Sequence, residues 1–105
     1  MGRLQHILEA GEFAVTAEVT PPASSDLAEL LAKAAPLKGL ADAVNLTDGA
    51  GARAHLESTV AASVLLQNGI EPILQLTCRD RNRIALQSQL LAAAALGITN
   101  LLVLK

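Results

Sequence analysis

The segment GIEPILQLTCRDRNRIALQSQLLAAAALGITNLLVL, residues 69–104, decides the fold. From Pro72 to Thr77 it alternates with period two, Leu74 and Leu76 on one side and Ile73, Gln75 and Thr77 on the other. Asp80 is the expected N-cap of a helix that runs to about Leu96 and stops at Gly97. Asn100 to Leu104 then forms a near-continuous apolar run, the pattern of a strand covered on both faces. Strand, helix and strand in so short a span predict a βαβ unit with parallel strands.

The same pattern extends upstream. Ala43 to Thr47 reads as a strand, with Val44 and Leu46 opposite Ala43, Asn45 and Thr47. The loop from Asp48 to Arg53 leads into a helix on which Leu56, Val60 and Val64 form one row and Ala61 and Leu65 a neighbouring one. Gly69 is its expected left-handed C-cap. Earlier still, Phe13 to Val19 predicts a strand closed by Pro21 and Pro22, which cannot donate to a sheet ladder. The next helix has Asp26 as N-cap with Glu29 three residues on, a capping-box arrangement, and an apolar stripe of Leu27, Leu30, Leu31 and Ala34. Residues 3–10 predict a short leading helix with His6 on its surface. Strands recur about every 28–30 residues with a helix in each interval.

Composition narrows the class. The chain has 105 residues, half of them hydrophobic, and Phe13 is the only aromatic residue. Alanine-rich helices on aliphatic strands suit α/β layers. A formal charge of −2 without a basic cluster argues against nucleic-acid binding. The longest apolar run, Leu90 to Leu96, is too short to span a bilayer, so no membrane partner is expected. Residues 1–12 lack a signal-peptide apolar region. Cys78 is alone, which excludes a disulfide framework within the chain and fits a reducing cytoplasm.

The polar residues of the strands gather on one face near the C-terminal ends: Glu18, then Asn45 and Thr47, then Gln75 and Thr77. Sites in parallel α/β folds form at those ends. Hydrogen bonding among Thr47, Gln75 and Thr77 within a core is the alternative reading. Glu18 is the sharpest signal, because an ionised carboxylate in a strand needs a reason to be there. Four strands with helices on one side would leave that polar face bare. A (β/α)8 barrel has eight strands and ~250 residues. The expected fold is therefore α/β, with residues 1–105 forming a single incomplete domain, the first half, (βα)3β, of a parallel TIM barrel.

Residues 69–104, the E-x-x-P-P motif Glu18-Val19-Thr20-Pro21-Pro22, and Val44-Asn45-Leu46-Thr47-Asp48 together resemble the bacterial methylenetetrahydrofolate reductase family. The likeness is in register from Phe13 onward. It implies a flavin-bearing (β/α)8 barrel that passes a hydride from NAD(P)H through FAD to methylenetetrahydrofolate, giving methyltetrahydrofolate for methionine synthesis. By that resemblance Glu18 is the catalytic acid that protonates the folate and opens its five-membered ring. Thr47 matches a flavin-contacting threonine. Gln75 stands where well-studied members have a histidine beside the flavin, and Lys105 where some place a basic flavin contact. The family's next residues, a Gly-Asp pair touching flavin and folate, lie beyond the chain. Protonating a weakly basic nitrogen is a task for a carboxyl group kept from water, so the end of the first strand is expected to be dry around Glu18.

Other signals are weaker. The cluster Arg79-Asp80-Arg81-Asn82-Arg83 suits either an anion at a helix N-terminus or a capping Asp80 with paired arginines. Asp48-Gly49-Ala50-Gly51 lacks the third glycine and downstream acid of a dinucleotide fingerprint. Cys78 reads as a buried structural thiol, and His55 with Glu57 does not share a helix face, so no metal site is expected. Two further classes stay open: a non-catalytic half-barrel that assembles with itself or a partner chain, and a barrel enzyme using a strand acid with another cofactor.

Overall fold

The computed structural model describes residues 2–105. Its elements alternate as expected: α1 (Arg3–Glu9), β1 (Thr16–Val19), α2 (Leu27–Ala34), β2 (Ala43–Leu46), α3 (Ser58–Gln67), β3 (Pro72–Thr77), α4 (Arg83–Ala95) and β4 (Leu101–Leu104). The strands form one sheet in the order β1-β2-β3-β4, every pairing parallel. Each strand neighbours the next in sequence, which is the arrangement of half a (β/α)8 barrel.

The register sorts the side chains. Glu18 pairs with Asn45, Asn45 with Ile73, and Gln75 with Leu102, so these share one face. Val19, Val44, Leu46 and Leu74 take the other, where they pack with Leu30 and Ala34 of α2 and Ala61, Ala62 and Leu65 of α3. That second face holds the core. On α3 the row that turns inward is Ala61 and Leu65, joined by Ala62, while Val60 stays exposed. Gly69 follows α3 with φ +77°, a conformation that costs a residue with a Cβ and spares glycine.

Several local expectations need correction. The first strand begins at Thr16, not Phe13, and Phe13 is 90% exposed. Its lead-in is held by Asp42 instead: Val15 N–H donates to Asp42 Oδ2 at 2.9 Å, and Asp42 N–H to Val15 O at 2.7 Å. Asp26 does cap α2, accepting from Ala28 N–H, but the box does not close. Glu29 accepts from Ser24 Oγ at 2.8 Å, and the Asp26 N–H also goes to Ser24 Oγ. Asn82, not Asp80, caps α4 by accepting from Ala85 N–H at 2.9 Å, because Asp80 is taken by Arg79. The last strand is exposed along its whole length rather than covered on both faces.

The leading helix has a defined seat. Glu71, just before β3, accepts from the Arg3 and Leu4 backbone N–H groups at 2.6 and 2.9 Å. The same carboxylate accepts from Asn100 Nδ2 just before β4, and Arg3 pairs with Asp42 just before β2. These ties hold α1 at the N-terminal ends of the strands. There Leu4 and Leu8 line a hollow of about 570 Å³ with Asn45, Ile73 and Leu102 of the inward face. A carboxylate at a helix N-terminus satisfies N–H groups that have no partner within the helix.

Candidate functional site

At the C-terminal end of the sheet, the inward side chains of three strands meet. Gln75 Nε2 donates to Glu18 Oε2 at 3.2 Å and, more weakly, to Asn45 Oδ1 at 3.4 Å. One amide nitrogen of β3 thus spans acceptors on β1 and β2. Gln75 is buried, and its backbone carbonyl accepts from Ser58 Oγ at the start of α3. Glu18 is exposed, so the dry strand end expected around it is not found. The inward face it lies on is open because no element described covers that end of the sheet.

Thr47 follows β2 on the same face as Asn45, and its N–H donates to Val19 O at 3.2 Å. Its hydroxyl is buried and has no hydrogen-bond partner among the described residues. Native proteins rarely leave such a group unmatched. Lys105 is exposed and directly follows β4 at the same end of the sheet. No hydrogen bond or ion pair among the described residues ties it to Glu18, Thr47 or Gln75. The structure therefore brings Glu18 and Gln75 together with Asn45, sets Thr47 on the same face, and leaves Lys105 apart.

Above this face lies a network that sequence reasoning left without a role. Asp48, in the loop after β2, accepts from Thr77 N–H at 2.8 Å, from Thr77 Oγ1 at 3.0 Å and from both terminal nitrogens of Arg81. Arg81 also donates to Thr77 O at 2.9 Å and to Gln89 Oε1 at 3.0 Å. Gln89 in turn donates to Thr59 Oγ1 and to Glu57, the residue that caps α3. Burial pushes the Asp48 carboxyl up, but the Arg81 and Thr77 hydrogen bonds and the Arg81 charge outweigh it and hold the group below its ordinary value. The pair is two-pronged, the strong geometry for arginine and carboxylate. The loops that leave β2 and β3 are thereby locked together. Asp48 ends the Val44–Asp48 motif and Arg81 lies inside the charged cluster, yet only the fold sets them face to face.

The remaining signals resolve simply. Arg79 pairs with Asp80 and Arg81 with Asp48, so the charged cluster is largely satisfied within the protein. His55 bridges two loops, its ring nitrogens 3.0 Å from Pro21 O and 3.1 Å from Ala50 O. Cys78 is half-buried rather than fully buried. Among the described residues no group of side chains is placed to hold a metal ion, and no helix is long and apolar enough to cross a membrane.

The family model for methylenetetrahydrofolate reductase matches residues 3–105. No curated protein matches the chain. The matched region runs from the first residue of α1 through β4, so it includes the leading helix as well as the motifs at the strand ends. With that match over residues 3–105 and a parallel (βα)3β sheet, the chain belongs to the methylenetetrahydrofolate reductase family.

Proposed function

We propose that this chain contributes the acid half of a flavin-dependent active site that reduces 5,10-methylenetetrahydrofolate to 5-methyltetrahydrofolate, with NAD(P)H as the source of electrons. The observation that carries the reading is the Glu18 carboxylate, held by Gln75 at the C-terminal end of β1, on one face with the Thr47 hydroxyl, which has no partner among the described residues. The (βα)3β unit supplies four strands, and four more are needed to close a barrel over that face.

Bound FAD supplies the hydride chemistry, and Thr47, Gln75 and Lys105 are the residues of this chain that would hold it. Glu18 gives its proton to a folate ring nitrogen. The bond from that nitrogen to the methylene carbon then breaks, its electron pair staying on nitrogen, and the carbon becomes open to hydride. Glu18 is left as a carboxylate that must be reprotonated from solvent before the next turnover. Barrel closure and bound substrate would supply the dryness that the open sheet lacks. Placement in the cytoplasm, where the lone Cys78 stays reduced, accords with this role.

The test separates two half-reactions. In the flavin-loaded enzyme, Glu18→Gln should keep flavin reduction by NAD(P)H while the folate-dependent step falls by on the order of 100-fold or more. Equal loss in both steps would overturn the assignment.

The exposed β4 favours one other reading, a non-catalytic half-barrel that pairs with a second copy or a partner chain. Sedimentation of the 105-residue chain showing a discrete, stable dimer without flavin would support it.

A further inference from the structure

We infer that Gln75 is a positioning residue that decides which oxygen of Glu18 carries the transferable proton, an inference that rests on the proposed role of Glu18. An ionised carboxylate only accepts hydrogen bonds, so the side-chain amide of Gln75 must present Nε2 rather than Oε1 to Glu18 Oε2, 3.2 Å away. The second Nε2 hydrogen faces Asn45 Oδ1 at 3.4 Å. Both neighbours of Nε2 are acceptors, on two different strands, and together they fix the orientation of the amide. Gln75 itself is buried, and its backbone carbonyl is tied to Ser58 at the start of α3, so the donor sits on a rigid element.

When Glu18 is protonated, Oε2 goes on accepting from Gln75 Nε2 and takes the carbonyl role. The proton then resides on Oε1, the oxygen to which Gln75 does not donate. After transfer to the substrate nitrogen, the same N–H still donates to the carboxylate that remains. A glutamine amide does not titrate in the working range, so this direction persists through the cycle. Asn45 acts one step further out, by holding the amide of Gln75.

The experiment has two parts. In cofactor-free protein labelled with ¹³C-glutamate, the infrared carboxylate band of Glu18 is the one that disappears in Glu18→Gln. Gln75→Met keeps the length of the side chain without its donor, and it should shift that band. An unshifted band would overturn the inference.

In the flavin-loaded enzyme, Gln75→Met should slow the folate-dependent step by roughly 10-fold to 100-fold, the range expected when an acid is misplaced. With every variant compared at equal bound flavin, in a Glu18→Gln background the same change should cost no more than roughly twofold, because its route through the acid is already gone. Gln75→His, which retains an N–H donor at similar reach, should recover most of the rate. Losses that multiply, or a histidine variant as slow as the methionine one, would overturn the inference while leaving the role of Glu18 intact. An unimpaired Glu18→Gln would overturn both. Gln75→Leu serves the same comparisons if Gln75→Met does not fold.

Discussion

A carboxylate largely withdrawn from water is tolerated only when its oxygens are occupied, and Asp48 meets that condition through Thr77 and Arg81. Its side chain is 9% exposed and that of Arg81 15%, so solvent screens the pair only in part. Asp48→Ala should therefore cost about 2 kcal/mol of stability, measured by urea unfolding of the assembled protein at neutral pH. The sign of the pH dependence follows from its lowered folded-state value. Stability from Asp48 is fully present above the unfolded carboxylate value of about 3.9 and is lost as pH falls through the lower folded value. Asp48→Asn should flatten that acid limb; an unchanged limb would remove Asp48 from the account.

Thr47 makes the opposite prediction. Its hydroxyl has no partner among the described residues, so Thr47→Val should leave cofactor-free stability unchanged or raised by up to about 1 kcal/mol. Under the proposed function, which has Thr47 contact the flavin, the same change should weaken flavin binding by roughly fivefold, followed by fluorescence titration.

Among the elements, α4 shows how chemistry at a helix start is decided by neighbours. Asp80 and Asn82 are both good caps by type. Asp80 is drawn to Arg79, which leaves Asn82 with extended backbone and its Oδ1 on Ala85 N–H. Asn82→Ala should cost about 1 kcal/mol by thermal unfolding, and Asp80→Ala clearly less. At the opposite end of the sheet, α1 is too short to persist on its own helical propensity. Glu71 holds it there through two backbone N–H groups, so Glu71→Ala should speed hydrogen exchange in Arg3–Glu9 before it touches β3. Equal exchange in both proteins would show that α1 is held by its apolar contacts alone.

For the whole molecule, the decisive asymmetry is between the two faces of the sheet. One is filled by Leu30, Leu65, Val44, Leu46 and Leu74; the other bears polar side chains and, on β4, Leu102 and Leu104, which are 43% and 38% exposed. Leu101 and Val103 on the helix side of β4 are exposed as well, so an apolar strand paired only with β3 forms the edge of the sheet. The 105-residue chain on its own should bind a hydrophobic dye and self-associate with rising concentration. Val103→Lys should reduce that association by placing a charge on the edge. Sharp, concentration-independent unfolding of the unmodified chain would contradict this.

Strand and helix order, the parallel sheet, and the shared face of Glu18, Asn45 and Gln75 were legible in the sequence by itself. They follow from periodicity and proline or glycine punctuation, which are local properties of the backbone. The resemblance carried by the motifs agrees with the family that the whole chain matches. What only the tertiary structure decided are pairings between residues distant in the chain: Glu18 with Gln75, Asp48 with Arg81, and Glu71 with the start of α1. Charged and amide side chains accept many partners of equal chemistry, and periodicity does not rank them. The approach of one strand end to another selects one, which is why the Arg79–Arg83 cluster is expected to pair within the protein without its partners being named, and only the fold shows Arg79 on Asp80 and Arg81 on Asp48. The exposure of Glu18 is of the same kind, set by what the rest of the fold leaves uncovered rather than by the residues beside it.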